Sequence, residues 1–285
     1  MLPLDFQVIP VQTSDAQLVL DYLGDAQYAF RHLDWRLPVD WLGCQPYLMA
    51  LQNQAPSAMV ICPHTGEKHV WLRHYSGLTY ESAKIAWPSL LDECKKKLAA
   101  KDVDAIYSIA LADWYEDLLS EEGFELSNHV VVLEKTTWQT KPLRLSPPEY
   151  QITTMQSSDV DDVYELDQEC FEPLWQISEE DIQIAFKLSD NCSVAWDDEH
   201  KIVGYQISSI LPSGGHLARI AVHPDFRRKQ IAQMLLTDLL KRFAQLNINR
   251  VTVNTLADNL AALELYRQNG FILTGDHYPV HRLRL

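Results

Sequence analysis

Val222-His-Pro-Asp-Phe-Arg-Arg-Lys-Gln-Ile-Ala-Gln-Met-Leu-Leu236 carries the reading of the fold. An apolar strand ends at Val222, and Pro224-Asp225 turns the chain. Three consecutive cations follow, Arg227, Arg228 and Lys229. Beyond them Ala232, Leu235, Leu236, Leu239, Leu240 and Phe243 recur at the spacing of one buried helical face. A helix N-terminus presents unpaired N–H groups and a partial positive charge, so anions settle there. Three side-chain cations at that point suit a pyrophosphate better than a merely solvated turn.

Upstream, Ile202–Leu211 and His216–Val222 read as strands, and downstream Arg250–Thr255 does too. A second block then appears, Asn259-Leu-Ala-Ala262-Leu-Glu-Leu265-Tyr266-Arg-Gln-Asn-Gly270-Phe271. Asp258 is the expected N-cap of its helix and Gly270 its C′ residue.

Together the two blocks resemble the GNAT superfamily of N-acetyltransferases. The family loop R/Q-x-x-G-x-G/A is matched at Arg227 and Ala232, and the pattern N-x-x-A-x-x-L-Y-x-x-x-G-F is matched throughout. Gln230 stands where the family has Gly. That residue lets backbone approach the pyrophosphate closely, and a side chain is expected to be tolerated there if φ stays negative. The resemblance covers about Tyr150 to Leu285 well and the first half in outline.

The repeat supports two domains. Val11-Gln-Thr-Ser-Asp15 parallels Met155-Gln-Ser-Ser-Asp159, and Glu122-Gly123-Phe124 parallels Asn269-Gly270-Phe271. In the first half, strands are expected near Pro46–Leu51, Ala58–Cys62, His69–Tyr75, Ala105–Leu111 and Val130–Glu134, with helices at Ser82–Ala99 and Trp114–Glu122. In the second, helices are expected at Ser158–Cys170 and Ser178–Leu188, with separate late strands at Phe271–Gly275 and His281–Leu285. The expected fold is α/β: two GNAT-like domains, 1–135 and 150–285, each a mixed, mostly antiparallel sheet flanked by helices. Lys135–Pro148, with three prolines, places a linker at 136–149.

The first half has lost the motifs. Tyr80-Glu-Ser-Ala-Lys84 stands where the cations would be, Leu119 in place of Tyr266 and Ala112 in place of Asn259. It is expected to be a degenerate domain that packs as a pseudo-dimer partner or walls the substrate groove. The whole is expected to be a monomer or a homodimer.

Composition narrows the class. Residues 201–285 carry 11 Lys+Arg against 5 Asp+Glu, whereas residues 1–200 carry 13 against 34. The acidic part repels nucleic acid, while the basic end holds the proposed phosphate site. No run of about 18 apolar residues suggests a membrane span. Cys44, Cys62, Cys94, Cys170 and Cys192 are widely spaced without C-x-x-C, which points to reduced thiols and the cytoplasm. The histidines lack a convincing ligand set, so no metal is expected.

What the resemblance implies is an acetyl-CoA-dependent N-acetyltransferase acting on a primary amine, on a small molecule or a peptide N-terminus, by direct attack in a ternary complex. The alternative is a CoA-binding sensor or scaffold without turnover. Ile220, Ala221 and Val222 would pair with the pantetheine and polarise the thioester. The amides of Arg228, Lys229, Gln230, Ile231, Ala232 and Gln233, with Arg227 beside them, would take the pyrophosphate. Asn259 would bond the pantetheine or cap its helix, and Ala262 would border the cofactor. Tyr266 would be the general acid toward the departing thiolate. His216 stands where several family members carry a basic carboxylate, and a histidine titrates near neutrality. Asn254 occupies the other familiar base position and cannot serve. Glu165, Asp167, Glu169, Glu172, Glu179, Glu180 and Asp181 would give the acceptor groove a cation-attracting border.

Overall fold

The structure, a computed structural model, describes residues 6–136 and 149–285. The chain gathers into two compact units, Met1–Asn128 with Tyr278–Leu285, and His129–His277. The linker expected at 136–149 lies outside the described residues except at its two ends.

The first unit contains β1 (Gln7–Pro10), α1 (Ala16–Asp25), β2 (Tyr28–Arg31), β3 (Tyr47–Gln52), β4 (Ala55–Ile61), β5 (His69–Trp71), β6 (His74–Gly77), α2 (Tyr80–Ala99), β7 (Ala105–Ile109) and α3 (Asp113–Glu121). Its antiparallel sheet has the order β1-β3-β4-β6-β2. β5 instead pairs in parallel with β7, so the strand expected at His69–Tyr75 divides at Leu72-Arg73 and serves two neighbours. Trp87, Leu90, Leu91, Cys94 and Leu98 set one face of α2 into the core. β2 lies outside the strands expected from the sequence.

The second unit follows β8 (Glu125–Lys135) with β9 (Gln151–Thr154), α4 (Val160–Cys170), α5 (Glu179–Leu188), β10 (Asn191–Trp196), β11 (Ile202–Leu211), β12 (Gly214–Val222), α6 (Ile231–Gln245), β13 (Val251–Leu256), α7 (Leu260–Gln268) and β14 (Ile272–Arg284). Its strands run in the order β14-β8-β13-β12-β11-β10-β9. Among the described residues of this unit only β12 and β13 pair in parallel, with α6 as their crossover. Leu236, Leu239, Leu240 and Phe243 of α6 pack with Leu217, Val251 and Val253, as the helical periodicity requires.

Two expectations change. The strands expected at Phe271–Gly275 and His281–Leu285 are one, because Gly275 takes φ 93° within β14 and the ladder continues. The end of that strand, Val280–Arg284, pairs with Ala105–Ile109, which groups the C-terminus with the first unit.

Candidate active site

The site begins where two strands part. β12 and β13 pair only over Gly215–Leu217 and Val251–Val253. Beyond that, β12 pairs with β11 alone, from Arg219 to Val222, and Asn254–Leu256 pair with β8 alone. The register shift between Ile207 and Ser208 leaves Ala218 out of the β11 ladder and bends β12 at this point. Ile220, Ala221 and Val222 therefore present to a wedge one edge that has no strand partner. An edge of this kind accepts an extended polar chain as if it were a further strand.

The wedge leads to the start of α6. Here Gln230 is the N-cap residue and makes no side-chain cap. The amides of Arg228, Lys229, Gln230, Ile231, Ala232 and Gln233 find no acceptor among the described residues. The condition set on Gln230 is not met: its φ is 65° and ψ 8°, and Arg228 also has φ 62°. The chain has to reverse between the Pro224–Phe226 turn and α6 while its amides face outward, and left-handed residues accomplish that. Gln230 thus holds the conformation that a glycine would hold there, with a side chain attached. Arg227 donates to Val222 O and Cys170 O, each at 3.3 Å, and Lys229 Nζ lies 4.5 Å from the centre of the Phe226 ring. Arg227, Arg228 and Lys229 are all exposed, and none is paired with a carboxylate among the described residues.

α7 delivers Tyr266. Its ring packs with Leu217, Val253 and Phe271 and is 3% exposed. Burial pushes the phenol well above its ordinary value, so it is held protonated. Its hydroxyl makes no hydrogen bond among the described residues. Asn259, rather than Asp258, caps α7: its Oδ1 accepts from Ala262 N at 3.1 Å. Ala262 is half-buried against the cluster around Tyr266. Gln233 exchanges amide hydrogen bonds of 2.5 and 2.7 Å with Asn269, which ties the first turn of α6 to the end of α7.

His216 lies on the opposite face of the sheet. Leu217 and Val253 face α6, so alternation turns His216 and Thr252 the other way. Their side chains meet at 2.9 Å, Nδ1 to Oγ1. Thr252 Oγ1 can donate to Gly215 O at 3.4 Å, which lets Nδ1–H donate to Thr252 and leaves Nε2 as the free base. Burial lowers the imidazole pKa, favouring the neutral ring. The acid and base candidates thus stand on opposite faces of the sheet.

The acidic border is less uniform than the sequence suggests. Asp167 is fully buried. It accepts from Arg219 Nε and Tyr205 Oη and takes Ile177 N at 3.3 Å. Arg219 also donates to Trp175 O at 2.8 Å and covers the Phe171 ring at 3.8 Å. Burial opposes the Arg219 charge, but Tyr205 and Asp167 outweigh it and keep its pKa raised. This cluster joins α4, β11, β12 and the α4–α5 connection, and Asp167 is spent inside it. Glu169 pairs with His223 at 2.6 Å, and Asp181 accepts from Ser178 Oγ at 2.8 Å. Glu165, Glu172, Glu179 and Glu180 stay exposed.

Residues 160–271 match the model of the Acetyltransferase (GNAT) family, so the second unit carries a domain of that family. Solved structures extend the fold to nearly the whole chain. The GCN5-related N-acetyltransferase from Sphaerobacter thermophilus is 16% identical, with 98% of this chain and 95% of that one covered at a TM-score of 0.63. A tandem GNAT protein from the clavulanic acid biosynthesis pathway is 11% identical, with 98% of each chain covered at 0.63. A protein from Enterococcus faecalis described as a probable N-acyltransferase is 11% identical, with 98% and 72% covered at 0.71. At these identities the likeness is one of fold. No curated protein matches the chain.

Proposed function

We propose that the second unit transfers an acetyl group from acetyl-CoA to a primary amine, on a small molecule or a peptide N-terminus, by direct attack in a ternary complex. One observation carries this reading: the open β12 edge at Ile220–Val222 runs into a set of unclaimed amides flanked by Arg227, Arg228 and Lys229. The strand edge suits the amide-bearing pantetheine arm, and the α6 terminus with its cations suits the pyrophosphate.

In the reaction the neutral amine nitrogen attacks the thioester carbonyl carbon. The C–N bond forms, the C–S bond breaks, and the thiolate takes a proton from Tyr266 Oη. His216 Nε2 accepts the proton released by the amine, directly or through water, and returns it to Tyr266 by way of solvent. The exposed carboxylates Glu165, Glu172, Glu179 and Glu180 favour a cationic acceptor. All five cysteines are free thiols, which supports a reducing compartment such as the cytoplasm. No helix among the described residues is long and apolar enough to cross a membrane.

The test is release of free CoA thiol from acetyl-CoA in the presence of a panel of primary amines, with mass spectrometry of the acetylated product. CoA binding by calorimetry without turnover on any amine would favour the second reading, a CoA sensor. That reading draws on Asn254 in place of a carboxylate and on the unpartnered hydroxyl of Tyr266.

A further inference from the structure

The two units share a frame that the strand registers make explicit. His69 aligns with Gly215 and Ala105 with Val251, an offset of 146 in each pair, because both stand in the same parallel three-residue pairing. On that offset β6, His74–Gly77, corresponds to Ile220–His223, the open edge of the second unit.

In the first unit this edge is filled. β2 pairs antiparallel along it, with Tyr28 opposite Gly77, Ala29 opposite Ser76, Phe30 opposite Tyr75 and Arg31 opposite His74. The ladder continues through His32 N to Arg73 O at 2.8 Å. Phe30 stacks on Tyr115 at 4.2 Å and Tyr28 meets the Trp114 ring edge-on at 5.5 Å. With the 147 offset of the two Gly-Phe anchors, Tyr115 corresponds to Ala262. Where the second unit keeps a small residue against the Tyr266 cluster, the first has an aromatic ring that clamps the inserted strand.

The anion cradle is closed as well. Thr79 caps α2 two residues after Gly77, whereas Gln230 caps α6 seven residues after His223. Thr79 Oγ1 accepts from Ser82 N at 3.1 Å and Ser82 Oγ accepts from Thr79 N at 2.9 Å, so a reciprocal capping box takes up two of the amides at the helix start. A Cβ at Gly77 would lie 2.6 Å from Ala83 N, which shows how closely strand and helix meet where a pyrophosphate would have to fit.

We propose that β2 is a built-in substitute for the pantetheine arm: the first unit is plugged by its own backbone, and the chain binds a single CoA. The single-CoA part rests on the donor lying along Ile220–Val222; the plug itself is a property of the first unit. Hydrogen–deuterium exchange of the full chain, free and with CoA, tests both parts. In the free protein β6 is paired on two edges and Ala218–Val222 on one. Amides of His74–Gly77 should therefore exchange at least about a hundredfold more slowly than the fastest of Ala218–Val222. Equal rates would overturn the plug whatever CoA does. On adding CoA, Ala218–Val222 and Arg228–Met234 should slow, Tyr28–Arg31 and His74–Ser82 should not change, and calorimetry should give one CoA per chain. Slowing at His74–Ser82, or two CoA per chain, would overturn the inference. No change at Ala218–Met234 would instead overturn the functional reading of the second unit.

Discussion

Gln230→Gly tests the geometry of the loop most directly. Gln230 sits at φ 65° without a compensating side-chain cap. For an L-residue with a Cβ this conformation costs about 1–2 kcal/mol, and glycine adopts it freely. Glycine also loses more freedom on folding, which takes back about 0.4–1 kcal/mol through the unfolded chain. The net expectation is a stabilisation of about 0.5–1 kcal/mol, read from urea denaturation at a constant m-value. Gln230→Ala keeps a Cβ at the same φ and should leave stability nearly unchanged, so the pair separates backbone strain from loss of the amide head group. CoA affinity should change by less than about 1 kcal/mol, because the loop already holds the backbone a glycine would give it. A loss of stability above about 1 kcal/mol in Gln230→Gly would refute the left-handed assignment. A tenfold gain in CoA affinity, about 1.4 kcal/mol, would show that the side chain intrudes on the ligand.

Tyr266→Phe should lower kcat for acetyl transfer by roughly 10²-fold with CoA affinity barely altered; unchanged turnover under rate-limiting chemistry would leave the ring as packing alone. Because burial depresses the His216 pKa, the ring stays neutral at pH 7, and transfer should fall only as pH drops through that lowered value, below about 6.5. His216→Gln should abolish this acid limb in kcat, and a limb that survives the substitution would assign the base elsewhere. Asp167→Asn leaves Arg219 buried beside a neutral partner and should cost about 3 kcal/mol in urea denaturation; a cost below about 1 kcal/mol would mean that the cluster around Asp167 holds little of the fold.

The sequence by itself determined the features whose signals are local. The face of α6 follows from residues spaced by the helical repeat, and the end of α7 follows from Gly270, which takes φ 81°. The cations Arg227–Lys229 and Tyr266 stand out in the sequence because each of the two blocks is a continuous segment. Tertiary structure alone decided the rest. Whether Gln230 has positive or negative φ depends on how the chain must enter α6 from β12, and glutamine itself states no preference for a turn. Asp167 reads as one more carboxylate on an acidic helix until Arg219, 52 residues later, is brought against it. β2 is only four residues long, too short for its alternation to mark a strand, and it is held as one by the edge that His74–Gly77 offers it. Ladders and buried ion pairs join residues far apart in the chain, so their meaning resides in the partner that folding supplies.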